Sequence, residues 1–123
     1  MAENGNVCKG GPKLIFACSG AADVGQITDL AARKLDKDGV GKMFCMAGIG
    51  GRVNAILKIT ESAQKILAID GCPLNCVKNS LKNAGFNEFE CLQLSDLGIE
   101  KGKSPPTEEN IAAVVKKAAE ILE

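Results

Sequence analysis

At 123 residues the chain is long enough for one domain with a single hydrophobic core. An apolar content of 46% excludes a disordered chain. The 15 basic and 15 acidic residues leave no net charge to draw the protein to nucleic acid or an anionic membrane, and the 3% of aromatic residues, all Phe, cannot build a base-stacking platform.

Residues 1–12 are polar and glycine-rich and lack the apolar core of a secretory signal. They read as a flexible or lightly docked N-terminus ahead of a single domain over residues 13–123. No run approaches the roughly 18 apolar residues of a membrane helix. The expected compartment is therefore the cytoplasm, where thiols stay mostly reduced.

Residues 13–18, Lys-Leu-Ile-Phe-Ala-Cys, read as a first strand. Val24, Ile27, Leu30, Ala31 and Leu35 follow at helical spacing, and Gly39 suits the end of that helix. Residues 42–47 read as a second strand running into Gly48-Ile49-Gly50-Gly51, which is too glycine-rich for regular structure and reads as a loop. Val53, Ile56, Leu57, Thr60 and Ala63 mark a second helix. Residues 65–70 read as a third strand whose inner residues, Ile66-Leu67-Ala68-Ile69, are apolar without alternation, as in a strand covered on both faces. A third helix is expected from Pro73, with Leu74, Val77, Leu81 and Ala84 as its apolar stripe and Gly85 at its end.

Residues 86–94 contain a fourth strand, with Phe89, Cys91 and Gln93 on one face and Leu92 and Leu94 on the other. After an irregular stretch over 95–106, Thr107 caps a last helix. Its buried face carries Ile111, Val114, Val115, Ala118, Ile121 and Leu122, and Glu108 and Glu109 occupy its first turn. The alternation implies an α/β fold: a three-layer αβα sandwich around a four-stranded parallel sheet, in the expected order 2-1-3-4.

That order gives the cysteines their interest. Ligands of open parallel sheets bind beyond the carboxyl ends of the strands. Cys18 ends the first strand, Cys45 lies near the end of the second, and Cys72 and Cys76 follow the third. Adjacent strands lie about 4.8 Å apart, so these thiols can converge. Four thiolates around zinc need sulfurs roughly 3.8 Å apart, which side chains four residues apart on a helix can meet. The start of the third helix offers unpaired backbone N–H groups that favour thiolate. Gly71 leaves room for a metal or substrate to approach, and Asp70 either bonds the loop amides or accepts from a metal ligand as an outer-shell group. The chain has no His, which removes mixed Cys/His zinc sites and Cys–His nucleophile pairs. Of the six cysteines, Cys8 and Cys91 read as having no functional role, Cys91 as a small buried side chain in mid-strand.

Two phosphate readings fare less well. Gly20 and Gly25 have Walker-like spacing, but Gln26 stands where lysine is needed. Cys45 and Arg52 bracket six residues, one more than the C-x5-R anion loop of small phosphatases and arsenate reductases.

Taken together, Cys18-Ser19-Gly20 with Gly25, Cys45-Met46-Ala47-Gly48-Ile49-Gly50-Gly51, and Asp70-Gly71-Cys72-Pro73 with Cys76 resemble the motifs of the DGC-domain family. These are small bacterial and archaeal proteins described as zinc-binding. The resemblance covers nearly the whole chain and implies zinc held by Cys18, Cys45, Cys72 and Cys76. A thiol redox protein or thiol-dependent enzyme, with Cys72 as nucleophile and a neighbouring cysteine resolving, is the alternative. An interaction module whose cysteines are merely core is a third.

Overall fold

The computed structural model describes residues 10–123. The expectation of a flexible start falls largely on residues 1–9, and Cys8 with it, outside the described residues. The part that is described is docked: Gln64 donates from its side chain to Gly11 O and from its backbone to Pro12 O.

The elements run β1 (Lys13–Ala17), α1 (Asp23–Lys37), β2 (Lys42–Met43), α2 (Met46–Gly50), α3 (Asn54–Glu61), β3 (Lys65–Asp70), α4 (Cys76–Asn83), β4 (Glu90–Gln93) and α5 (Glu108–Leu122). The sheet is wholly parallel in the order β2-β1-β3-β4, as the alternation of elements predicts. β1 and β3 are buried because both faces of the sheet are covered. Ile15, Ala17, Leu67, Ile69, Leu92 and Leu94 pack against the buried stripes of α1 and α5. Leu14, Phe16, Ile66 and Ala68 pack on the other face with Ile49, Val77 and Leu81 from α2 and α4.

Helix ends follow the local chemistry. The Thr107 side chain accepts from Asn110 N at 3.2 Å, with Glu108 and Glu109 in the first turn of α5. At the other end of α5, Lys13 Nζ donates to Leu122 O at 2.6 Å and Lys65 Nζ to Ile121 O at 3.0 Å. Two strand lysines thus satisfy carbonyls that the helix leaves unpaired.

Three elements depart from expectation. β2 is two residues long, and the predicted glycine loop is helical from Met46 to Gly50. The edge strand pairs only through Lys42 and Met43, after which Phe44 turns its ring onto Phe16, edge to face at 6.0 Å. Cys45 then caps the helix, and Gly48 permits its packing, since a Cβ there would meet Ile56 at 2.6 Å. The third predicted helix begins at Cys76, not Pro73, because Asn75 adopts a left-handed conformation (φ 53°, ψ 49°) that no helix continues through. Leu74, expected in its buried stripe, is consequently 68% exposed.

Gly25 lets α1 approach the turn after β1, for a Cβ there would press into the backbone N, C and O of Gly20. Gly25→Ala should destabilise the fold by about 1–3 kcal/mol in chemical denaturation, the usual cost of overpacking. Gly50→Ala faces open space within 4 Å and should be neutral or stabilising by up to about 1 kcal/mol. Equal effects of the two would refute the packing role.

Candidate thiol site

The connections after β1, β2 and β3 carry Cys18, Cys45, Cys72 and Cys76, as the sheet order requires. All five described cysteines are free; Cys45 and Cys76 are exposed, and Cys18 and Cys72 half-buried. The connections bring these thiols to one edge but do not gather them into a coordination shell. Among the described residues no three cysteine, aspartate or glutamate side chains come close enough together to hold a metal ion. Part of the reason is the two-sided sheet: Cys18 packs against the cluster under α2 and α4, whereas Cys72 packs against the cluster under α1 and α5.

Each thiol has its own setting. Cys18 Sγ lies 3.3 Å from Thr28 Oγ1. The Thr28 hydroxyl donates its one proton to Gly25 O at 2.8 Å and accepts from Ser19 N at 3.2 Å, so Cys18 is the donor of the sulfur–oxygen contact. Ser19 is left-handed at φ 51° and donates from Oγ to Asp29 Oδ1 at 2.8 Å. Burial pushes the Asp29 carboxyl up, but the bond from Arg33, the Ser19 hydroxyl and the Arg33 charge outweigh it and bring it below its ordinary value.

Cys45 Sγ accepts from Gly48 N at 3.3 Å. Several of the amides that an anion loop would use already have backbone partners. Gly48 and Ile49 donate to Cys45 O, Gly51 to Ala47 O, Arg52 to Ile49 O and Val53 to Gly48 O. The segment from Cys45 to Arg52 is therefore a capped helical turn and not an anion cradle.

At the third connection Asp70 plays the first of its two expected roles. It is 4% exposed, and its oxygens accept from Val77 N at 2.8 Å and Lys78 N at 3.1 Å. Desolvation raises its carboxyl above the ordinary value against the pull of these two amides and the Lys78 charge. The free amides expected to favour thiolate at this helix start are thus partly taken by a carboxylate. Gly71 also serves packing, since a Cβ there would meet Val24 at 2.9 Å. Cys72 and Cys76 do not stack on one helical turn; the turn closed by Asn75 N donating to Cys72 O at 3.1 Å separates them.

Cys91, expected buried, is exposed as a residue. Its face is the predicted one, shared with Ala68 of β3 in register. Desolvation by its neighbours still raises its thiol, over the opposing charges of Lys78 and Lys82.

Three partners of these connections carry no sequence signal of their own: Thr28, Gln93 and Asp23. Asn75 had a weak one, because asparagine tolerates left-handed backbone. The non-glycine left-handed residues among those described are Ser19, directly after Cys18, Arg52, between α2 and α3, and Asn75, between Cys72 and Cys76. A groove of about 890 Å³ lies elsewhere, between the start of β3 and the α4–β4 connection, lined by Ala63, Ile66, Phe86 and Phe89 among others and by no cysteine.

A doubly covered parallel sheet with thiols on three adjacent carboxyl ends defines a small α/β protein with a cysteine-bearing edge. The DGC domain spans residues 14–118, and the chain belongs to the DGC-domain family. Over 88 residues it is 40% identical to the anaerobic and virulence modulator AnvM of Pseudomonas aeruginosa, covering 72% of this chain and 67% of that protein. No solved structure matches the chain. Among the described residues no helix is long and apolar enough to cross a membrane.

Asp23 ties the late connection to this edge, accepting from Gly102 N at 2.9 Å, Ser104 N at 3.1 Å and Val24 N at 2.7 Å. The Gly102 and Ser104 bonds hold its carboxyl below the ordinary 3.8. Its stabilising contribution is therefore complete above that value and is lost as pH falls through the lower folded value. The Gly102 and Ser104 amide resonances should titrate together with a midpoint below 3.8. Asp23→Asn should abolish the step; a midpoint above the ordinary value would contradict the clamp.

Proposed function

We propose that the carboxyl edge is a thiol redox site of a cytoplasmic protein, with Cys72 and Cys76 as its reacting pair. One observation carries this reading. Asn75, a non-glycine residue held left-handed, stands between Cys72 and Cys76, and left-handed Ser19 directly follows Cys18; strain of this kind, costing about 1–3 kcal/mol per residue, concentrates at functional sites. Access assigns the roles. Cys76 is exposed and Cys72 half-buried, so Cys76 attacks first and Cys72 resolves, the reverse of the expectation from sequence.

The co-reactant is a low-molecular-weight disulfide. Cys76 thiolate attacks one of its sulfurs and expels the first small thiolate. Cys72 thiolate then attacks the mixed disulfide and expels the second. A Cys72–Cys76 disulfide forms, the small disulfide is reduced to two thiols, and the two protons released by the cysteines end on them. Half-buried Cys18 and exposed Cys45 follow the adjoining strands β1 and β2, on one side of the pair. The relative's name, which speaks of anaerobic modulation, accords with a protein whose state follows redox conditions.

Zinc binding by Cys18, Cys45, Cys72 and Cys76 is the second reading, favoured by the all-thiol donor set and the shared edge. The thiols as placed do not form the shell. This reading requires the three connections to draw together and Cys72 to leave its apolar packing. Asp70, committed to the α4 amides, would then act only through the backbone it holds.

One preparation separates the two. Protein purified anaerobically is assayed for zinc and for thiols, then titrated with oxidised glutathione and mapped by mass spectrometry. The redox reading expects little zinc, loss of two thiols, and a Cys72–Cys76 disulfide that Cys76→Ser abolishes and Cys91→Ser leaves intact. Stoichiometric zinc lost on Cys45→Ser would establish the second reading in its place. Neither zinc nor a disulfide would overturn both.

A further inference from the structure

We infer that Gln93 is the positioning residue of the Cys72–Cys76 connection. It is the last residue of β4 and stands in register with Asp70, the last residue of β3. The two divide the connection between them. Asp70 holds its helical half through Val77 N and Lys78 N. Gln93 holds the half that bears Cys72: its Nε2 donates to Cys72 O at 3.0 Å and to Asn75 Oδ1 at 2.8 Å.

The hydrogen bonds leave no freedom in how these amides are oriented. Asn75 Nδ2 donates to Pro73 O at 3.2 Å, so Asn75 Oδ1 is the atom left to accept from Gln93. A flipped Gln93 would set Oε1 against Cys72 O and Asn75 Oδ1, three acceptors together. The orientation that remains uses both Nε2 hydrogens and leaves Gln93 Oε1 buried without a partner among the described residues. An unpaired buried acceptor is destabilising. Here it accompanies the two donations that fix the backbone of Cys72 and the side chain of the left-handed residue just before Cys76. Gln93 is thus more than a filler of the sheet end. A filler would be as well served by an apolar chain of the same length, which would leave no orphan oxygen.

This inference rests on the reading of Cys72 and Cys76 as the reacting pair, but its test reads their accessibility and not their oxidation. Gln93→Met keeps the length of the side chain and removes both donations together with the orphan acceptor. Overall stability should therefore change little while the connection loosens. Alkylation of the reduced protein by iodoacetamide, followed residue by residue with mass spectrometry, should accelerate at Cys72 by about five-fold, the factor that corresponds to one ordinary hydrogen bond. Cys45 and Cys91 in the same molecules should keep their rates. Gln93→Glu, which turns an acceptor toward Cys72 O and Asn75 Oδ1, should accelerate Cys72 further. Unchanged Cys72 and Cys76 rates in a folded Met variant would overturn the inference, as would a parallel rise at all the cysteines. If the Met variant loses its thermal transition, Asn75→Gly serves instead. It keeps the left-handed backbone, deletes the Gln93–Asn75 bond together with that from Asn75 Nδ2 to Pro73 O, leaves the bond to Cys72 O, and should give a smaller acceleration at the same residues; none would again overturn the inference. A failed glutathione titration with a positive alkylation result would refute the redox reading and leave the positioning role standing.

Discussion

The parallel pairing of β1 with β3 is the constraint on which the rest depends. Five consecutive residues of each strand stand in register, from Lys13 opposite Lys65 to Ala17 opposite Ile69. The residues between are almost wholly buried, so a slip by one position would turn every side chain to the wrong face. The register sets Cys18 and the Gly71-Cys72 turn at the same level of the sheet, and Cys18 N continues the ladder by donating to Ile69 O at 3.2 Å. β2 and β4 extend this pair on either side and add Cys45 and Gln93 to the same edge.

What happens beyond that edge is decided by polar groups at the strand ends. Asp70 and Gln93, adjacent across β3 and β4, both reach into one connection and hold its two halves. Thr28, buried on α1, joins the Cys18 turn to Gly25 with a single hydroxyl. Asp23, at the start of α1, brings the Gly102–Ser104 backbone to the same end of the sheet. Each connection is thereby held in a defined shape, and the thiols are held with it. The same two-layer burial that builds the core also separates them, since Cys18 and Cys72 rest against opposite hydrophobic clusters.

Strands β1 and β3, helices α1 and α5 and the sheet order were legible because they depend on periodicity and burial, which a sequence carries directly. Ile66 to Ile69 is apolar without alternation, as a covered strand is; Thr107 followed by Glu108 and Glu109 is the pattern of a helix start. The glycine-rich stretch misled for a physical reason. Gly48 is small because Ile56 of α3 packs against it, not because the backbone turns there. A helix start is likewise misplaced when one residue's conformation overrides the pattern, as left-handed Asn75 does between Pro73 and Cys76.

The sequence by itself determined that this is an α/β protein with four cysteines after three adjacent parallel strands and no histidine to share their chemistry. Chain order and hydrophobic pattern suffice for that, because parallel strands must be crossed over and covered in a limited set of ways. Only the tertiary structure decided which thiols are exposed, which face of the sheet each one meets, and which amides Asp70 and Gln93 occupy. Those depend on side chains distant in sequence meeting at distances near 3 Å, and no local pattern records such meetings.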